Sequence, residues 1–155
     1  AAPSGGWASA TPTAIVGDLN GMLMGMFNRT QGTGIADTLL LPWSKFFHIS
    51  TTPMNANSDT TILQWFLANN VFTASTGRPL TVRGIRGLDT AGAGGVTRAI
   101  AYRNDRQVLV MHLPMPHRFL PVYQSGPLRW DVPGVMRLGG LDVRLPGEVS
   151  YLDGV

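Results

Sequence analysis

The sequence predicts an α+β chain in which helices come first and a predominantly antiparallel sheet region follows. Three observations carry this expectation. Ile15, Val16, Leu19, Met22, Leu23, Met26 and Phe27 recur at helical spacing without a break. Thr38-Leu39-Leu40-Leu41 is a short apolar run ended by Pro42, the pattern of a buried strand. From Gln107 onward only short apolar segments remain, with Pro or Gly in the gaps.

The first helix is expected over 12–30. Thr11 supplies the N-cap oxygen and Pro12, which lacks an N–H, suits the first helical position. The stripe Ile15, Leu19, Met22, Leu23, Met26 and Phe27 is its expected buried face. Gly17, Gly21 and Gly25 recur every fourth residue beside it. Each costs about 1 kcal/mol against Ala in a helix, so close packing on another backbone is the expected reason. Asp18, Asn20, Asn28 and Arg29 make this a helix in water and not a membrane dimer stripe. Gln31 to Gly34 reads as the stop.

Beyond the strand at 38–41, Trp43 to Ile49 suits a short helix. A polar loop over 51–58 leads to a helix over 60–69 capped by Ser58 or Asp59, with Ile62, Leu63, Phe66 and Leu67 inward. After the Gly77-Arg78-Pro79 turn, 80–85 alternates as a strand. The glycine-rich stretch 87–95 reads as a hairpin tip, and 96–102 returns as the next strand. Strands are then expected at 108–113, 128–132, 135–138, 141–145 and 149–152, with Pro114 and Pro116 interrupting the first of these. No internal repeat is present.

Composition narrows the functional classes. At 155 residues the chain is long enough to bury roughly two-thirds of its unfolded surface. Charged residues make up 14%, below the roughly 25% of an average soluble domain, so the surface is either uncharged polar or hidden against other subunits. Of the 12 basic residues only Lys45 is not Arg. The arginines are scattered from Arg29 to Arg144 and form no nucleic-acid-binding stripe. The absence of Cys excludes disulfides, thiolate zinc sites and cysteine nucleophiles. No 18-residue apolar run exists, and residues 1–10 lack the pattern of a signal peptide. The missing initiator Met suggests a processed or truncated chain.

Catalytic patterns are missing too. Gly92-Ala93-Gly94-Gly95 is followed by no Lys and leads into a strand, where a phosphate loop needs a helix N-terminus. His112 and His117 stand five apart across two prolines, which matches no metal motif, and His48 lies in the short aromatic helix. Glu148 is the only glutamate, so paired-Glu chemistry is unavailable. Asp131 and Asp142 could in principle face each other across strands, but Asp at strand ends and turns is ordinarily structural. No catalytic, cofactor-binding or metal residue is assigned. Trp7, Trp43, Trp65 and Trp130, with Met22 and Met26, are assigned to packing.

The order of segments then resembles a family of phage major capsid proteins. Trp7-Ala8, Thr11-Pro12-Thr13-Ala14-Ile15 and Asp18-Leu19-Asn20 resemble its "TW…TP…I…DIN" entry. Asp37-Thr38-Leu39-Leu40-Leu41-Pro42 is similar to "PDTLLLP", and Thr60-Thr61-Ile62-Leu63-Gln64-Trp65-Phe66-Leu67-Ala68-Asn69-Asn70 to "TTVLEYFLKNN". Gly92 to Tyr102 resembles "GAGGTDRMVAY", Leu113-Pro114-Met115-Pro116 resembles "VPMP", and the stretch from Arg137 to Val155 resembles "RTGG…YADGI".

The resemblance implies the Hong Kong 97-type capsid fold, with an axial domain plus returning strands of the peripheral domain. Residues 1–10 would be a flexible lead-in, 11–105 axial-domain-like, and 106–155 a β-rich region carrying the peripheral strands. It implies a structural subunit and no enzyme, assembling with copies of itself as pentamers and hexamers around a genome. Non-specific contact with packaged DNA, no membrane partner and no cofactor are expected, with location in the virion and in the host bacterial cytoplasm during assembly. The N-terminal arm, extended loop and spine helix of such a subunit are not in the sequence, so the chain is expected to be a C-terminal half. The alternatives are an encapsulin-like nanocompartment shell or a small hydrolase. As subunit-interface candidates, Gly87, Asp89, Gly92, Gly94 and Gly95 would form a tip crowding a symmetry axis, ordered in the shell and mobile in the isolated chain, with Asp89 pairing an Arg of a neighbour.

Overall fold

A computed structural model describes residues 6–155. The first part of the expected lead-in lies outside the described residues; within the rest of it, Trp7 is fully buried and its Nε1 donates to Asp18 Oδ2 at 3.2 Å. The chain divides into two units. One runs up to Asn104 and resumes with Leu145–Val155; the other is Asp105–Arg144.

In the first unit, α1 spans Pro12–Arg29, and Thr11 Oγ1 accepts the Ala14 N–H at its start. Its buried face is Ile15, Val16, Leu19, Met22, Leu23 and Met26. Phe27 departs from expectation and is exposed. The helix ends beside it, and the Phe27 ring lies against Gly32, whose φ of +82° turns the chain away. β1 (Thr38–Pro42) leads directly into α2 (Trp43–Thr51). α3 (Ile62–Asn69) is capped by Thr61, which exchanges hydrogen bonds with Gln64 in a capping box. The cap is thus neither Ser58 nor Asp59; Ser58 Oγ instead closes a turn by accepting the Thr60 N–H. α3 buries Ile62 and Phe66 fully, whereas Leu67 is exposed. A further helix that the sequence does not suggest, α4 (Val71–Thr76), follows at once, started by the buried Asn70 side chain and ended by Gly77 at φ +69°.

β2 (Thr81–Ile85) and β3 (Arg98–Tyr102) flank β1 and do not form a hairpin. The sheet order is β10-β3-β1-β2, with β1 parallel to β2 and antiparallel to β3. β1 takes the inner position because its leucines are apolar on both faces, as an interior strand requires. Leu39, Leu41, Ala99, Ala101 and Leu152 join the α1 face, Ile49, Ile62 and Phe66 in one core. The register puts Arg83, Leu40, Ile100 and Tyr151 side by side on the opposite face.

The closing strand β10 (Val149–Asp153) follows a 3₁₀ turn at Pro146–Glu148 and pairs antiparallel with β3. Grouping by sequence alone puts 149–152 with the β-rich region. The sheet takes this strand because Leu152 and Val149 bury against it, and because Arg103 and Glu148 join there. The Arg103 N–H donates to the Glu148 carbonyl at 3.4 Å, and their side chains form a largely buried ion pair.

The second unit is a two-stranded ribbon in three successive antiparallel pairs. β4 (Leu109–His112) pairs with β9 (Gly140–Val143), β5 (Met115–Phe119) with β8 (Gly134–Arg137), and β6 (Tyr123–Gly126) with β7 (Arg129–Asp131). Pro114 does end β4. Pro116, expected to break pairing, lies inside β5 at an irregular register between Met115 and Arg118, the place where a ladder tolerates a residue without an N–H.

Candidate functional site

Three features of the surface are candidates, beginning with the glycine tip between β2 and β3. Gly87, Gly94 and Gly95 have φ of +90°, +76° and +79°, the left-handed region that side chains disfavour. Gly92 is needed for a different reason: a Cβ there would lie 2.6 Å from the Val96 carbonyl oxygen. The Gly92 N–H donates to that same oxygen at 2.8 Å, closing the loop on itself.

The tip is anchored at both ends. Leu88 is buried and its carbonyl accepts the Arg98 N–H at 2.9 Å. Ser44 Oγ at the start of α2 donates to Asp89 Oδ1 at 2.6 Å, so the carboxylate already has a partner within the chain. Beyond Gly92, the Ala93 N–H donates to Asp153 Oδ2 at 3.3 Å. Asp153 also receives the Arg98 guanidinium as a fork, Nε to Oδ1 at 2.6 Å and Nη2 to Oδ2 at 2.8 Å. The guanidinium carbon lies 5.1 Å from the centre of the Tyr151 ring. This environment lowers the Asp153 carboxyl to about 2, chiefly through the Arg98 hydrogen bond, against the opposing effect of burial.

The second feature is the groove beside Gly17, Gly21 and Gly25. The sequence leads one to expect close packing there, yet a Cβ on any of the three would meet no atom within 4 Å. The space is a groove of about 370 Å³ between α1 and β10, with Asp18, Arg29 and Tyr151 in its walls. Arg29 reaches across to the Val149 carbonyl at 3.5 Å.

The third feature is exposed apolar surface. In the ribbon, Met111 and Leu141 are cross-strand partners and remain 63% and 64% exposed; Phe119, Trp130 and Leu128 are more than half exposed as well. Apolar side chains this exposed are candidates for contact with a partner. On α2, Trp43 and Phe47 stack at 5.0 Å and both are exposed, with Gly84 of β2 under the Trp43 ring.

The residues weighed for chemistry are dispersed. His112 Nε2 lies 3.7 Å from Asp142, which also faces Arg144. Asp131 belongs to a different strand pair, beside Arg129. His117 meets only the edge of Phe119 within the ribbon's aromatic contacts. Glu148 is paired with Arg103. Among the described residues no group of three His, Asp or Glu side chains is arranged to hold a metal, and no helix is long and apolar enough to cross a membrane. The sequence singles out the tip but not Arg98, Asp153 and Ser44; their pairing spans up to 55 residues and leaves no local pattern.

Comparison with known proteins bears on the whole chain. A family model described as major capsid protein matches residues 1–155. Among solved structures, the capsid of Myoviridae phage XM1 is similar with a TM-score of 0.81 at 18% sequence identity, covering 100% of this chain and 50% of that one. The chain therefore spans about half the length of that capsid protein, and at this identity the likeness speaks to the fold. No curated protein matches the chain.

Proposed function

The chain belongs to the major capsid protein family, and on that premise we propose that it works by self-association, as part of a shell subunit assembled in pentamers and hexamers around a phage genome. The observation that carries this reading is the family match over all 155 residues, borne by an α+β fold shared with a phage capsid. The exposed apolar residues of the ribbon and of α2 support it, since many modest patches engaged at once give a stable shell by avidity. In this reading the first unit is axial and the ribbon peripheral, in the Hong Kong 97-type arrangement, and the subunit gathers in the host cytoplasm before it resides in the virion. Contact with packaged DNA without sequence preference, through arginines scattered over the chain, belongs to the same reading. No turnover is part of the role, and neither a nanocompartment nor a hydrolase gains a specific observation.

Expression of the complete open reading frame, followed by sedimentation and electron microscopy, tests the proposal. Closed shells of uniform size are expected. A protein that stays monomeric at every concentration, or that turns over a substrate in a manner abolished by changing His112 or Asp131, overturns it.

A further inference from the structure

We propose that Asp153–Val155, the last residue of β10 and the two that follow it, is a strap that closes over the glycine tip and holds Leu88–Thr97 in a single conformation, making the tip's shape dependent on this distant segment. Three links carry the inference. Asp153 grips the Ala93 N–H with the same oxygen that takes Arg98 Nη2, so the tip, β3 and β10 meet at one carboxylate. Thr97 Oγ1 donates to the Val155 carbonyl at 2.6 Å, and the Gly154 N–H donates to the Thr97 carbonyl at 2.8 Å. Val155 itself is buried, which fixes the strap at its far end.

The tip cannot hold this shape unaided. It contains Gly87, Gly92, Gly94 and Gly95, and glycine loses more conformational freedom on ordering than any other residue. Its own backbone bonds are few, Gly92 to Val96 and Gly95 to Gly92. The strap supplies what is missing through its bonds to Ala93 and Thr97, and the charge-assisted fork from Arg98 of β3 holds the Asp153 carboxylate in place to make the first of them. Tyr151 is the exposed end of this linkage, its ring lying against the guanidinium that orients Asp153. The inference rests on the proposed shell role only for its consequence in an assembly. The strap is a property of the chain itself.

Hydrogen exchange on the folded chain tests it, using Asp153→Asn and the milder Arg98→Lys, which keeps the charge and loses the fork. Protection at Gly92, Ala93 and Gly95 is expected to fall roughly tenfold or more in Asp153→Asn, and less in Arg98→Lys. Protection at Leu19 and Leu23 in α1 should stay unchanged in Arg98→Lys. Unchanged tip protection in both variants overturns the strap, as does a loss in Arg98→Lys that spreads equally to α1. Shell formation by the same variants is read separately. Particles that form with a mobile tip would remove the tip from the subunit contacts and leave the strap intact.

Discussion

The Glu148 carboxylate fills the space that a side chain on Gly34 would need. A Cβ on Gly34 would lie 2.8 Å from Glu148 Cδ and 3.0 Å from Oε1. The only glutamate of the chain is thereby placed beside Arg103, nearly buried, at the point where the ribbon leaves and rejoins the first unit.

Gly34→Ala is expected to push Glu148 off Arg103 and to lower stability by about 1–3 kcal/mol, the usual cost of overpacking a close contact. Glu148→Gln should cost a similar amount by leaving Arg103 without its counter-charge. That is less than for a fully buried pair, because the Arg103 side chain keeps 26% exposure. Denaturant midpoints of the two variants check both values, and a wild-type midpoint for either would mean the pair contributes nothing.

The α1 face makes a sharper test. Leu23 is fully buried, and Leu23→Asp should cost on the order of several kcal/mol, enough to unfold the first unit. Met24 is its exposed neighbour, so Met24→Asp should change stability by less than about 0.5 kcal/mol. Circular dichroism melts of the pair decide whether the face is drawn correctly.

Gly21→Ala is expected to stabilise the chain by about 0.5–1 kcal/mol, because the added methyl meets no atom and helix propensity improves. Gly17→Ala and Gly25→Ala should behave alike. A lower melting temperature in any of them would show that the groove is occupied in solution.

Acid should act on the strap. A carboxyl whose folded value is depressed contributes stability that is complete above its unfolded value of about 3.9 and is lost as pH falls through the folded value. For Asp153 that folded value is about 2, so the contribution fades between roughly pH 4 and pH 2. Arg98 is the charged group facing it, and a guanidinium keeps its charge throughout that window. Tip exchange measured from pH 5 to pH 2.5 should rise in the parent and stay flat in Asp153→Asn.

Local chemistry makes parts of this fold legible in the sequence. Thr11, Pro12 and the stripe from Ile15 to Met26 define α1 because cap, first turn and buried face all agree. Leu39-Leu40-Leu41 is legible as a strand because the apolar run is short and Pro42 ends it. Ser58, Asp59, Thr60 and Thr61 are four successive cap-forming residues, and only the reciprocal Gln64 bond selects Thr61. α4 leaves no such signal because Phe72-Thr73-Ala74-Ser75-Thr76 is poor in helix formers and depends on Asn70 and on packing against α1 and α3. The place of β1 between β2 and β3 is a pairing over tens of residues, beyond any periodicity. The tip declares itself through its glycines; the strap, built from Asp153 and Arg98, does not.

The neighbouring termini of β3 and β10 give residues 105–144 the standing of an insertion. Arg103 and Glu148 are bonded to each other in the first unit, so the chain departs and returns through almost the same point. A loop closed at so narrow a gate has a cost that grows slowly with length, about 0.6 kcal/mol for each doubling. A ribbon lengthened or shortened by a few residues is therefore expected to cost the sheet it interrupts little.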